Sequence, residues 1–217
     1  MTESFLGSVG EDERAAILKV AVRRRYARGE VVFHQGDLGD TFHIVLRGLL
    51  TARTVTPLGQ VVTLNLFPVD AVFGELALLS VDARRAATVA ALERSETLMI
   101  RRKDFADLRR RNPRMDAFLV AVLASRNRAL SEHLTDLLFS PADERVYRRL
   151  LLLTDVATPG GSEWVKVTQE DVGSLAGTTR ATVNRALRAA ADAGTIELAR
   201  GRFRILDRDA LERRASR

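Results

Sequence analysis

The sequence predicts an α+β protein with an antiparallel β-structure in its N-terminal half and helices in its C-terminal half. Two observations lead to this prediction. Between Val22 and Arg101, short β-branched segments alternate with turn signals such as Gly48 and Gly59. After Arg102, apolar residues recur every three or four positions, which is the period of an amphipathic helix. Many short strands at this spacing are typical of a barrel or a jelly roll.

The elements of the first half follow from these patterns. Helical spacing of apolar residues predicts a short helix over Glu11–Val20. Strands are then predicted over six segments: Val31–Phe33, 42–46, 49–55, Val61–Phe67, 88–92 and 97–100.

A single long helix is predicted over Pro113–Phe139, and Pro113 suits its first turn. Its apolar residues recur at threes and fours: Met115, Phe118, Leu119, Val122, Leu130, Leu134 and Leu137. Two interpretations fit this pattern. The helix either covers the β-domain, or it forms the seam of a homodimer, since a helix of this length extends past a small barrel.

The break at Ser140-Pro141 indicates a domain boundary, because Pro141 can begin a new helix, predicted over Ala142–Ala157. A loop is predicted at 158–162. The predicted domains are therefore a β-domain over 1–111, the long helix over 112–139 and a C-terminal domain over 140–217.

Composition excludes several classes of protein. The chain of 217 residues has a net charge of +6, which is compatible with a nucleic-acid partner, and it has no cysteine. Disulfides, thiolate zinc sites and iron–sulfur clusters are therefore excluded. The N-terminus does not resemble a signal peptide, and no apolar run approaches the roughly 20 residues of a membrane helix. We therefore expect a cytoplasmic protein that does not contact a membrane.

Signatures of catalysis are missing from the sequence. It contains no Walker loop, no dinucleotide glycine fingerprint, no Gly-x-Ser-x-Gly elbow and no metal-ligand spacing. We therefore expect no enzymatic activity, no bound metal and no cofactor.

The segment 168–188 predicts a helix-turn-helix. Thr168 is placed as an N-cap with Asp171 three residues later, and Gly177 permits the tight turn. Thr178 or Thr179 then caps the second helix. That helix exposes one polar face made of Arg180, Ala181, Asn184, Arg185 and Arg188. Such a face can lie in the major groove of DNA, where arginines bind guanine O6 and N7.

A basic hairpin is predicted after the second helix. Short apolar segments flank the turn Arg200-Gly201-Arg202, so arginines stand at its tip and can contact backbone phosphates. For the helix-turn-helix and this hairpin together, the alternative is a basic helical hairpin with a solvated face.

The segment 73–88, FGELALLSVDARRAAT, carries the second functional motif. Gly74 lets the backbone approach a ligand, and Glu75 can accept a hydrogen bond from a ribose hydroxyl. Leu76 opens a helical turn whose N–H groups can face an anion. Arg85 offers a forked contact to a phosphate, which the small side chain of Ala86 leaves room for. The alternative is a structural Glu75–Arg85 salt bridge with no ligand.

These motifs, in this order, resemble the cyclic-AMP receptor protein and fumarate–nitrate-reduction regulator superfamily of bacterial transcription factors. The resemblance covers essentially the whole chain. It implies a cyclic-nucleotide-binding jelly roll, a dimerisation helix and a winged helix-turn-helix. The expected function is a homodimeric regulator that binds a pseudo-palindromic double-stranded DNA site and is gated by cyclic AMP. RNA polymerase is a further candidate partner.

The resemblance also implies roles for individual residues. In the ligand half, it implies Glu75 at the ribose 2′-hydroxyl and Arg85 with Ala86 at the cyclic phosphate. It places Arg126 near Glu75, and Leu130 and Ser131 near the adenine, with Ser131 coming from the partner subunit. In the DNA half, it implies guanine contacts by Arg180 and Arg185 and phosphate contacts by Gln169 and Thr182.

Two positions depart from the pattern of the family, and a third agrees with its cyclic-AMP-binding members. A polar residue commonly occupies the position of Leu130, so the adenine amino group would lose a partner. A glutamate usually occupies the position of Ala181, so the middle of the half-site would be recognised more loosely or through a thymine methyl. Ala86 favours cyclic AMP over cyclic GMP.

Other functions remain as alternatives. The same regulator could act on another effector or on none, and a haem sensor would need His34, His43 or His133 as an axial ligand. A cyclic-nucleotide-binding signalling module without DNA function is the alternative from another class.

Overall fold

The computed structural model describes residues 10–157 and 164–216. The predicted loop at 158–162 lies outside these residues. Within the described ranges, no helix combines the length and apolar character needed to cross a membrane. By their internal contacts the residues form two compact units, one reaching to Thr54 and including Asn65–Ala129, and one comprising Val55–Leu64 and the chain from Leu130 onward.

The strands of the structure are β1 (Val22–Tyr26), β2 (Val31–Phe33), β3 (Thr41–Arg47), β4 (Leu50–Val55), β5 (Val61–Phe67), β6 (Val72–Phe73), β7 (Thr88–Ala91), β8 (Ser95–Arg101), β9 (Val165–Lys166), β10 (Ile196–Ala199) and β11 (Arg202–Ile205). The helices are α1 (Glu11–Val20), α2 (Glu75–Leu79), α3 (Arg102–Arg111), α4 (Pro113–Phe139), α5 (Ala142–Ala157), α6 (Gln169–Ala176), α7 (Arg180–Asp192) and α8 (Arg208–Ala215). The predicted α+β class is confirmed.

Two four-stranded antiparallel sheets make up the β-structure of the N-terminal half, in the strand orders β1-β8-β3-β6 and β2-β7-β4-β5. One apolar cluster joins Val45 of the first sheet to Leu50 and Val89 of the second, so the sheets pack face to face. Each of the six predicted strands is present, with bounds that differ by at most two residues.

A second cluster covers the other face of the first sheet. Strand β3 alternates, as a strand must, so Phe42 and Ile44 point to this cluster while His43 and Val45 point between the sheets. Helices complete the cluster with Ile17 of α1, Phe105 of α3 and Met115 and Leu119 of α4.

The second unit is helical around a small sheet of order β10-β11-β9. Its buried side chains come from α5, α6, α7 and α8 and from both strands of the hairpin: Val146, Leu150, Leu153, Val172, Leu175, Val183, Leu187, Ile196, Phe203 and Leu211. Strands β10 and β11 pair from Ile196↔Ile205 to Ala199↔Arg202, so the hairpin predicted after the second helix is present.

Candidate functional site

The turn between β6 and α2 depends on Gly74. Its φ of 89° lies in the left-handed region. A Cβ atom at this position would lie 2.6 Å from the Thr41 carbonyl oxygen and 2.8 Å from Arg85 Nη1. The Gly74 carbonyl accepts a hydrogen bond from Arg85 Nη1 at 3.1 Å. Because glycine has no Cβ atom, the Arg85 side chain can lie against this turn.

Arg85 is only 4% exposed. Its Nη1 donates to the Thr41 carbonyl at 2.9 Å, and its Nη2 donates to Thr41 Oγ1 at 2.7 Å. The guanidinium carbon lies 3.9 Å from the centroid of the Phe33 ring. Burial lowers the pKa of Arg85, and the nearby Asp40 carboxylate opposes this shift. The Nε–H of Arg85 is buried and has no hydrogen-bond acceptor within residues 10–157 and 164–216.

Glu75 directly follows Gly74 and is buried, with 1% exposure. Its Oε1 accepts from Arg126 Nη1, while Arg126 Nη2 donates to the Val72 carbonyl. The Arg126 guanidinium also lies 5.3 Å from the Phe67 ring centroid. The expected alternative of a Glu75–Arg85 salt bridge is therefore wrong, because α4 supplies the cation. The second carboxylate oxygen of Glu75, Oε2, is buried, and no described residue donates a hydrogen bond to it.

A series of hydrogen-bonded side chains runs from Arg85 through Thr41 and His43 to Thr97. Because Thr41 Oγ1 accepts from Arg85, its hydrogen can be donated to His43 Nε2, 3.1 Å away. His43 Nδ1–H then donates to Thr97 Oγ1 at 3.2 Å. Burial, followed by the charges of Arg85 and Arg24, lowers the pKa of His43 to about 3. The ring is therefore neutral, and both of its nitrogens are engaged.

The structure brings four of the expected ligand residues together: Gly74, Glu75, Arg85 and Arg126. Leu76 and Ala86 follow two of them directly along the chain, and both are exposed. Leu130 and Ser131 are exposed on α4 and belong to the second unit. These residues thus include one buried donor, Arg85 Nε–H, and one buried acceptor, Glu75 Oε2, that have no hydrogen-bond partner in the described part of the chain.

The helix-turn-helix is held by its caps. Thr168 Oγ1 accepts from the Asp171 amide at 3.1 Å, and the Asp171 carboxylate accepts from the Thr168 amide at 3.1 Å, which completes a capping box. Gly177, at φ 59°, ends α6. Thr179, rather than Thr178, caps α7 by accepting from the Thr182 amide at 3.2 Å.

Arg145 of α5 is a structural residue that sequence reasoning missed. Its Nε donates to the Ala176 carbonyl at 2.9 Å, and its Nη2 donates to the Gly177 carbonyl at 3.2 Å. These carbonyls close the C-terminus of α6, where the helix has no internal donors. Arg145 therefore holds the turn between α6 and α7 from a third helix, a contact with no local sequence signal.

Helix α7 separates its faces as expected except at Asn184, which was predicted to be exposed. Val183, Ala186 and Leu187 are buried. The opposite face exposes Arg180, Ala181, Arg185 and Arg188, while Thr182 and Asn184 are half-buried. Asn184 Nδ2 donates to Gln169 Oε1 at 3.3 Å, so two of the expected DNA-contacting residues hold each other across α6 and α7.

The hairpin of β10 and β11 carries Arg202 at its exposed tip. Arg202 lies 4.4 Å, and Arg204 5.1 Å, from the ring centroid of Trp164. Sequence analysis missed both Trp164 and β9, which pairs with β11. The available signal was composition, since Trp164 is the single tryptophan of the chain.

In the described ranges, no group of three or more His, Asp or Glu side chains is arranged to hold a metal ion.

Comparison with known proteins identifies both halves. Residues 23–112 match the cyclic nucleotide-binding domain family, and residues 144–214 match the Crp-like helix-turn-helix domain family. The chain is 35% identical to a cyclic AMP receptor protein of Thermus thermophilus over 190 residues, covering 88% of this chain and 86% of the relative.

A second relative is a CRP-like cAMP-activated global transcriptional regulator of Mycobacterium tuberculosis, 32% identical with 93% and 91% of the two chains covered. The solved structure of the c-di-GMP responsive global regulator CLP of Xanthomonas campestris has the same fold, with a TM-score of 0.78, 19% identity and 90% and 99% coverage. This chain therefore belongs to the CRP/FNR family and is a Crp-family transcriptional regulator with a cyclic nucleotide-binding domain and a helix-turn-helix domain.

Proposed function

We propose that this regulator binds cyclic AMP in the Gly74–Glu75–Arg85–Arg126 pocket and, in that state, binds a pseudo-palindromic DNA site as a homodimer. One observation carries the ligand assignment. A buried donor, Arg85 Nε–H, and a buried acceptor, Glu75 Oε2, both lack a hydrogen-bond partner among the residues that the structure describes. Leaving a buried polar group unsatisfied costs about 1–3 kcal/mol, so the pair favours a ligand that offers both an anionic oxygen and a hydroxyl.

A cyclic ribose-phosphate meets this description. Its 2′-hydroxyl donates to the Glu75 carboxylate, and its cyclic phosphate accepts from Arg85, with Ala86 leaving space at the main chain. Leu76 lies in the adjoining turn. Leu130 and Ser131 contact the adenine, and Ser131 comes from the partner subunit. The identity to a cyclic AMP receptor protein supports cyclic AMP as the effector.

Double-stranded DNA is the second ligand. In this proposal Arg180 and Arg185 bind guanines, and Ala181 contacts a thymine methyl. Thr168, Gln169, Thr179, Thr182, Asn184, Arg188 and Arg202 form the remainder of the interface. Two copies of α7 then occupy successive major grooves, about 34 Å apart.

The homodimer is proposed from α4. Its N-terminal half buries Met115 and Leu119 in the core of the first unit. Its C-terminal half exposes apolar side chains, including Leu134 at 57% and Phe139 at 81% exposure. Exposed apolar residues at helical spacing favour a seam between two helices. Sedimentation equilibrium tests this proposal, and a monomer at micromolar concentration would contradict it.

Calorimetric titration of the full chain with cyclic AMP tests the effector. We expect saturable micromolar binding that is lost in Glu75→Gln, which keeps the size of the side chain but removes its charge. Cyclic GMP is the matched control ligand, and we expect it to bind more weakly. Absence of cyclic AMP binding by the wild-type chain would contradict the proposed effector.

A regulator with another effector is the second candidate. Leu130 favours it, because an exposed leucine offers the adenine amino group no acceptor. The structural relative CLP is itself described as c-di-GMP responsive. Titration with c-di-GMP under the same conditions separates the two candidates.

Gating requires cyclic AMP to favour the DNA-competent arrangement of the dimer over its alternatives. We therefore expect cyclic AMP to tighten binding to a selected DNA site, as measured by fluorescence anisotropy. Failure to bind any duplex at low salt would leave a cyclic-nucleotide-binding module without DNA function.

A further inference from the structure

The β10–β11 hairpin presents two arginines on one face. Arg202 and Arg204 are two residues apart on β11, so both point to the same side of the strand. Phe203 points to the opposite side and is buried. The indole of Trp164 lies beside both guanidinium groups, 4.4 Å from that of Arg202 and 5.1 Å from that of Arg204.

Of these two arginines, Arg204 is paired with a carboxylate and Arg202 is not, within the described residues. Arg204 Nε donates to Glu197 Oε2 at 2.6 Å, and Glu197 stands directly opposite Arg204 in the strand register. Arg202 has no carboxylate partner within the described ranges, and it is exposed at the hairpin tip. Its described contact is the face of Trp164, so its positive charge remains available for a ligand.

Trp164 is itself held in place by the small sheet. It directly precedes β9, in which Val165 pairs with Phe203 and Lys166 pairs with Arg202. Val165 is buried. The strand register therefore fixes the indole next to the hairpin tip, although 38 positions separate Trp164 from Arg202 in the chain.

We propose that Trp164 is a positioning residue that holds Arg202 for a phosphate of the DNA backbone. The proposal rests on the proposed DNA binding of this regulator. An exposed arginine loses side-chain entropy when a phosphate immobilises it. Contact with the face of a tryptophan restricts the guanidinium beforehand and leaves its N–H groups free for the phosphate. Glu197 meanwhile keeps Arg204 paired within the hairpin.

A matched pair of substitutions isolates the aromatic face. Trp164→Phe keeps a π face, whereas Trp164→Leu keeps apolar bulk without one. We expect Trp164→Leu to weaken binding to a fluorescein-labelled mixed-sequence duplex by about 3- to 10-fold in low-salt anisotropy titrations, and Trp164→Phe by about twofold or less. A mixed sequence suffices because phosphate contacts do not depend on base sequence. Equal affinities of the two variants would overturn the proposal.

The double variant tests whether Trp164 acts through Arg202. We expect Arg202→Ala to weaken binding and to lower the slope of log affinity against log salt by about 1. Adding Trp164→Leu to Arg202→Ala should then cost nothing further, whereas a full additional loss would overturn the proposal. Arg204→Gln is the control with a paired arginine, and we expect no change in salt slope.

The wild-type chain separates this proposal from the one on which it depends. If the wild type fails to bind the duplex both with and without cyclic AMP, DNA binding is wrong and the role of Trp164 is wrong with it. If the wild type binds and the Phe and Leu variants bind equally, DNA binding stands and only the role of Trp164 is wrong. Unchanged circular dichroism of each variant shows that the comparison is made between folded proteins.

Discussion

The two halves of this regulator use arginine in opposite ways. In the first unit, the guanidinium of Arg85 is buried. It donates hydrogen bonds to Thr41 and Gly74 and lies against the Phe33 ring. On α7 of the second unit, Arg180, Arg185 and Arg188 are exposed. The protein itself therefore holds the Arg85 side chain of the proposed ligand pocket in place, whereas the arginine side chains on the exposed face of α7 extend into solvent.

The difference follows from what each site has to recognise. A buried guanidinium interacts with an anion at a low effective dielectric, so one group can provide much of the binding energy. The charge of an exposed arginine is largely screened beyond a Debye length, which is about 8 Å at physiological salt. A DNA-binding surface therefore needs many exposed arginines. Substitution of an arginine should consequently cause a large loss of ligand affinity in the proposed pocket and a moderate loss of DNA affinity on α7.

Arg85→Lys should have the largest effect. Lysine keeps the charge but lacks the planar fork, so it cannot hold Thr41 and Gly74 while offering an N–H to a phosphate. We expect cyclic AMP affinity to fall by about 200-fold or more, which corresponds to about 3 kcal/mol. Arg84→Lys, at the neighbouring exposed arginine, is the control for calorimetry. An unchanged affinity in Arg85→Lys would refute the assigned pocket.

The pH dependence of folding tests the interior of the same site. The unfolded chain protonates His43 near pH 6.5, whereas the folded chain, with the pKa of His43 at about 3, does not. Stability should therefore fall as the pH drops below about 6.5, by about 1.4 kcal/mol per pH unit from this one group.

His43→Gln isolates that contribution, because glutamine keeps a donor and an acceptor for Thr97 and Thr41 but does not titrate. Between pH 6 and pH 4, we expect the free energy of unfolding of the variant to fall by about 2–3 kcal/mol less than that of the wild type. Urea unfolding at each pH provides the measurement. Parallel pH profiles would show that His43 is not the buried neutral group described above.

Arg180→Ala sharpens the comparison on the DNA side. Loss of a bidentate guanine contact should weaken binding to a selected DNA site by about 1–3 kcal/mol, with a smaller loss on random duplex. Arg213→Ala, an exposed arginine of α8, removes the same charge and should leave the preference for the selected site unchanged. If Arg180→Ala weakens both duplexes equally, the residue contacts phosphate rather than a base.

Thr168→Ala should have the smallest effect. It removes one side of the capping box with Asp171, and we expect a loss of about 1 kcal/mol in the free energy of unfolding. Thr168→Ser retains the hydroxyl and should be close to the wild type in the same denaturant titration. A loss in Thr168→Ser as large as that in Thr168→Ala would exclude the cap as the cause.

Local patterns predicted much of this fold. The bounds of α1, α4 and α5 agree with the sequence prediction because their caps, prolines and apolar periods lie within the segments themselves. Strand β1 was not predicted, since Val-Arg-Arg-Arg-Tyr lacks alternation. It exists because it pairs with β8 at the sheet edge, where Arg25 Nε donates to Glu96 at 2.8 Å.

The sequence alone determined the order of the domains, the residue types of both motifs and the family. The resemblance already placed Arg126 near Glu75, but only the tertiary structure decided how these charges pair. It joins Arg126 to Glu75 Oε1 across 51 positions and sets Trp164 against Arg202, a contact that the sequence did not predict. The reason is physical: caps and periodicity act over a few residues, whereas the partner of a buried charge is chosen by chain segments that meet only after the sheets and helices have packed.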